Sequence, residues 1–116
     1  MANVQKTYAL ILGIVLFVIG VWGFFSMSIL GIFGVNIWQS VLHVIAGIFG
    51  VYVGTKGEGK GFNSTIGWIG LVLGILGFIP SVDTLLLSWL NINAATTWLH
   101  LVIGVVSLAV YFLIKE

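Results

Sequence analysis

The stretch Asn36-Ile37-Trp38-Gln39-Ser40-Val41-Leu42-His43-Val44-Ile45-Ala46-Gly47 decides how the chain reads, because its pattern returns once as Asn93-Ala94-Ala95-Thr96-Thr97-Trp98-Leu99-His100-Leu101-Val102-Ile103-Gly104. Each copy runs Asn, six residues, His, three residues, Gly. The chain has no other histidine. Both stand inside strongly apolar segments, where an ionisable side chain is costly and turns toward a partner rather than toward lipid. The two histidines therefore mark the interior of the molecule.

Composition says which solvent surrounds that interior. Of 116 residues, 60% are hydrophobic and 6% charged, too few polar groups to clothe a water-soluble core. The bilayer must be the solvent for most of the surface, and lipid is the first expected partner. With a net charge of +1 and no basic run, nothing neutralises a phosphate backbone, so nucleic acid is excluded as a partner. The absence of cysteine removes disulfides, zinc-thiolate sites and thiol nucleophiles.

Working outward from the two motifs, the apolar runs predict spans at about residues 8–25, 37–54, 63–80 and 94–114, in a single domain over 1–116. The first run follows Lys6 as in a signal peptide, but no small-x-small cleavage site follows and the run has a copy later in the chain. Residues 26–36 read as an uncharged connection in the outer interface. Asn36 and Asn93 stand where N-caps belong. Residues 55–62, with Gly57-Glu58-Gly59-Lys60-Gly61, read as a flexible cytoplasmic loop. Pro80 ends the third run, after which Ser81 or Asp83 is expected to cap a short amphipathic helix carrying Trp89.

The two halves, 8–54 and 63–114, read as copies. Gly13, Gly20 and Gly23 correspond to Gly67, Gly74 and Gly77, each set followed by phenylalanine. The expected fold is all-α: an integral membrane four-helix bundle made of two tandem, parallel-oriented helical hairpin repeats. An even number of spans per repeat gives both the same orientation and sets a pseudo-two-fold axis along the membrane normal. Lys6, Lys56, Lys60 and Lys115 then all fall on one side, which predicts a multi-pass protein of the inner (plasma) membrane with both termini cytoplasmic. Trp38, Trp89 and Trp98 would anchor the outer interface, and Tyr8 and Trp68 the inner one. Lines of Gly67, Gly70, Gly74 and Gly77, of Gly47 and Gly50, and of Gly104 with Ser107 offer close helix contacts, since association in lipid rests on backbone approach.

For the histidines, the plain expectation is that each imidazole donates to a carbonyl or hydroxyl on a neighbouring helix and sets register. A second reading pairs His43 and His100 as ligands of haem, with Gly47 and Gly104 leaving room for the macrocycle, or of copper. A third makes Asn36, Asn93, Ser40 and Thr97 the lining of an outer cavity that passes a small solute or protons. Enzymatic chemistry is not expected: no carboxylates pair on one face, and no Ser or Thr stands with a base and an orienting group. Size resembles the small multidrug transporters, but residues 8–25 hold no glutamate and the lysine bias opposes dual insertion.

The four-span layout, the duplicated hairpin, the glycine-phenylalanine end of the first span and the Asn…His…Gly signature resemble an uncharacterised family of small prokaryotic four-helix membrane proteins. That resemblance covers almost the whole chain and implies fold and localisation, with no activity to carry over. The leading functional expectation is a non-enzymatic structural or accessory protein, packing into a homo-oligomer or a larger membrane complex, with no resident cofactor.

Overall fold

The computed structural model describes residues 3–116. In order it contains α1 (Val4–Gly23), β1 (Ser28–Ile29), β2 (Phe33–Gly34), α2 (Ile37–Lys56), α3 (Lys60–Leu76), α4 (Val82–Leu90) and α5 (Ala94–Leu113). Asparagine starts the three longest helices: the side chains of Asn3, Asn36 and Asn93 accept from the amides of Lys6, Gln39 and Thr96. Each satisfies a first-turn donor that the helix itself leaves open.

The helix ends differ from the expected spans in ways that follow from local bonding. Helix α1 begins at Val4 rather than near residue 8, because Asn3 caps it and the Glu116 carboxylate accepts from the amides of Val4 (2.8 Å) and Gln5 (2.7 Å). Helix α3 begins at Lys60, so the loop expected over 55–62 shrinks to Gly57–Gly59, where Gly59 has a left-handed φ of 83°. It ends at Leu76, ahead of Pro80, as the amides of Phe78 and Ile79 tighten onto the carbonyls of Ile75 and Leu76. Neither Ser81 nor Asp83 caps α4 through its side chain. Ser81 occupies the N-cap position at φ 75°, away from the extended conformation from which a hydroxyl reaches the first turn. The 26–36 connection holds the antiparallel pair β1–β2, with Leu30 and Gly31 at positive φ in its turn.

Helices α1, α2 and α5 each have 20 residues and are long and apolar enough to cross a membrane, at about 30 Å apiece. Helix α3 is apolar but has 17 residues, shorter than the third span expected.

Packing follows the glycines. Helix α1 lies antiparallel against α2, and α3 against α5. A Cβ on Gly13 would stand 2.6 Å from the backbone of Gly50 and Val51, and one on Gly20 would stand 2.8 Å from the Val44 nitrogen. In the other pair, a Cβ on Gly74 would stand 2.7 Å from Leu101 Cα and one on Gly70 2.8 Å from the His100 carbonyl oxygen. Gly23 abuts Ser40, and Gly77 abuts Thr97. Large apolar side chains such as Phe17, Trp22, Phe49, Tyr52, Val105 and Phe112 point outward, as expected of surfaces facing lipid tails. The two hairpins stand side by side with α1 and α3 starting at the same end, where Asn63 Nδ2 donates to both the carbonyl and the side-chain oxygen of Gln5 (2.9 Å each).

Candidate functional site at the histidine pair

Three residues after Ser40 on α2, and three after Thr97 on α5, the helical repeat brings His43 and His100 to the seam between the hairpins. Their ring centroids are 6.4 Å apart and the rings are inclined at 70°. The Nδ1 atoms of both are buried and have no hydrogen-bond partner. At Nδ1, neither imidazole makes the expected bond to a carbonyl or hydroxyl.

On the motif side of the histidines, the seam is closed by reciprocal bonds. Asn36 Nδ2 donates to the Trp89 carbonyl (2.9 Å) and Asn93 Nδ2 to the Ile32 carbonyl (3.0 Å), so each capping residue also reaches into the opposite half. The same sequence interval separates Ile32 from Trp89 as Asn36 from Asn93. Gln39 Nε2 donates to the Leu90 carbonyl (2.6 Å), Thr96 Oγ1 to that of Gly34 (3.0 Å) and Asn91 Nδ2 to that of Val35 (2.8 Å). These bonds form a layer between the hairpins at the N-terminal ends of α2 and α5. Ser40 and Thr97, expected to line an outer cavity, are buried against Gly23 and Gly77 instead. Asn36 borders a groove of about 690 Å³ outside the seam, between α2 and α4, with Trp38, Leu42 and Trp89.

Beyond the pair, Tyr8 Oη and Ser107 Oγ share a hydrogen bond of 2.6 Å across the seam. Past it, Gln5 Nε2 donates to the Val110 (2.7 Å) and Ile114 (3.1 Å) carbonyls, next to the Gln5–Asn63 bonds. Gln5, Tyr8, Gln39, Asn63 and Thr96 were not singled out from the sequence as seam residues. The available signal was an amide or hydroxyl placed within or just before an apolar helix, where it needs a partner.

The room expected for a haem at Gly47 and Gly104 is taken up by neighbouring backbone: a Cβ on Gly47 would stand 2.5 Å from the Phe17 nitrogen, and one on Gly104 closer still to the Leu71 nitrogen. Among the described residues no group of three or more His, Cys, Asp or Glu side chains converges.

A family model described as Domain of unknown function (DUF4383) matches residues 6–113. The chain belongs to this family. The DUF4383 match takes in both Asn…His…Gly segments, the glycines of both helix pairs and the Tyr8–Ser107 bond, and leaves Gln5 and Glu116 just outside. No curated protein and no solved structure matches the chain.

Proposed function

We propose that this is a non-enzymatic, four-span membrane protein in which two tandem hairpins hold a small guest between His43 and His100. Supporting the duplication, Gly13, Gly20 and Gly23 meet α2 at the positions where Gly67, Gly74 and Gly77 meet α5. The capping asparagines cross reciprocally in the same register. Helix α3 completes the fourth span although short, since it lies along α5 and a bilayer adapts to modest mismatch. Lys60 and Lys115 border one surface groove beside Glu116, and Glu116 bonds the start of α1, so basic residues and both described chain ends share one end. By the lysine bias that end is cytoplasmic, and the membrane is the inner one.

The observation that carries the guest-binding reading is that two neighbouring imidazoles, their centroids 6.4 Å apart, each bury an unpartnered Nδ1 atom. In a medium without water, two such atoms cost free energy unless something bonds them. Metal analysis of the purified protein beside His43→Ala and His100→Ala tests it: stoichiometric metal present in the wild type and lost in both variants is expected, and equal content in all three would overturn it.

An accessory role in a homo-oligomer or larger membrane complex is the second reading. The glycine lines that suggested it face other helices of the same chain, so a partner would meet the apolar flank around Trp38 and Trp89, 70% and 66% exposed beside the outer groove. Cross-linking from these two positions in native membranes is expected to yield a defined adduct on this reading; none would remove it.

A further inference from the structure

We infer that His43 and His100 form a two-coordinate site for a single copper(I) ion, held between their Nδ1 atoms. The inference rests on the guest-binding reading above and names the guest. Geometry is the first argument. An imidazole nitrogen sits about 1.1 Å from its ring centroid and an imidazole–metal bond is about 2.0 Å, so a collinear N–metal–N bridge sets the centroids about 6.2 Å apart. They are 6.4 Å apart, with the rings inclined at 70°.

The donor set is the second argument. Two neutral nitrogens meet here with no thiolate or carboxylate converging on them among the described residues. Zinc completes a tetrahedron and magnesium, calcium and manganese prefer oxygen, whereas a d10 monovalent ion is content with two collinear nitrogens. Charge points the same way. The energy of burying an ion rises with the square of its charge, so a site with no anionic ligand inside apolar helices favours +1 over +2. The third argument is rigidity: the bonds between the hairpins, Gln39 to Leu90 and Thr96 to Gly34 on one side of the pair and Tyr8 to Ser107 on the other, hold the two donors at a set distance before any ion arrives.

The test is anaerobic titration of the detergent-solubilised full chain with copper(I) under ascorbate, in competition with a chromogenic copper(I) chelator, and a parallel titration with zinc(II). One equivalent of copper(I) is expected, with X-ray absorption of the loaded wild type showing two nitrogen scatterers and no third ligand. His43→Phe and His100→Phe are each expected to weaken binding more than about 100-fold while leaving the helical circular dichroism unchanged. Because a variant can fail through misfolding, the wild type labelled with 15N-histidine supplies an independent readout: copper(I) should shift the Nδ1 resonances of both residues. Zinc(II) binding without copper(I) binding would overturn the copper assignment and leave the guest site standing. Binding of neither metal, with unshifted Nδ1 resonances, would overturn both and leave the pair bridged by water alone.

Discussion

The seams within the hairpins and the seam between them are built by opposite chemistry. Inside each hairpin, glycine lets backbones meet: Gly13 on Gly50, and Gly70 on Gly104. Between the hairpins, side chains reach across and bond: Asn36 to Trp89, Asn93 to Ile32, Gln39 to Leu90, Tyr8 to Ser107, Asn63 to Gln5. Lipid tails are as apolar as leucine, so neither seam can rely on hydrophobic burial. Close approach gives dispersion contact everywhere along a helix pair but tolerates no added atom. Polar bonds are sparse and directional, and they hold two preformed units in register. The second strategy is incomplete in places: Gln39 Oε1, Ser40 Oγ, Asn63 Oδ1 and both histidine Nδ1 atoms are buried without a partner. Of these, the two Nδ1 atoms belong to rings whose centroids are 6.4 Å apart, which makes that point the candidate site.

The contrast can be broken most forcefully from the glycine side. Gly13→Val places a branched side chain where a single Cβ already stands 2.6 Å from α2 backbone, and a loss of about 3 kcal/mol is expected in reversible unfolding from mixed micelles. Unchanged stability would mean that α1 and α2 do not approach as described. Asn63→Leu removes two bonds of 2.9 Å and leaves buried Gln5 groups unsatisfied, so about 1–2 kcal/mol should be lost. In that variant, cross-links between the hairpins should weaken before those within one; the reverse order would contradict a polar seam. Tyr8→Phe is expected to lower stability by only about 0.6 kcal/mol, the usual size of an interhelical bond in lipid. A drop several times larger would show that the Tyr8–Ser107 contact carries more than one bond. His43→Phe in metal-free protein should be close to neutral, since it deletes an unpartnered buried nitrogen; a marked loss would expose a bond that Nδ1 does make. Gly61→Ala, with open space at its Cβ, should instead stabilise α3 by a few tenths of a kcal/mol as seen in the same unfolding assay.

Much of the helical layout was legible because it rests on local rules. Capping at Asn36 and Asn93 needs only an acceptor three residues ahead of a free amide, and glycine lines advertise themselves by their spacing. The ends of α1 and α3 were less so. Whether the turn from Val4 to Thr7 is helical depends on Glu116, which lies at the far end of the sequence and next to it in space. The β1–β2 pair was missed for a related reason: two residues per strand make too short a pattern to read, and Asn91 and Asn93 hold the segment from outside through the carbonyls of Val35 and Ile32.

What the sequence by itself determined is the units: helices apolar enough to cross a bilayer, glycine faces, and two histidines in matching frames. Those properties depend on composition and on spacing along one helix, which any single chain displays. Only the tertiary structure decided that the glycine faces close on one another within the chain, that the outer asparagines cross between hairpins, and that the histidines meet at 6.4 Å with Nδ1 unbonded. Each is a relation between two helices, set by how far their backbones can approach and which side chains then come within bonding reach. Periodicity along one helix carries no information about that distance.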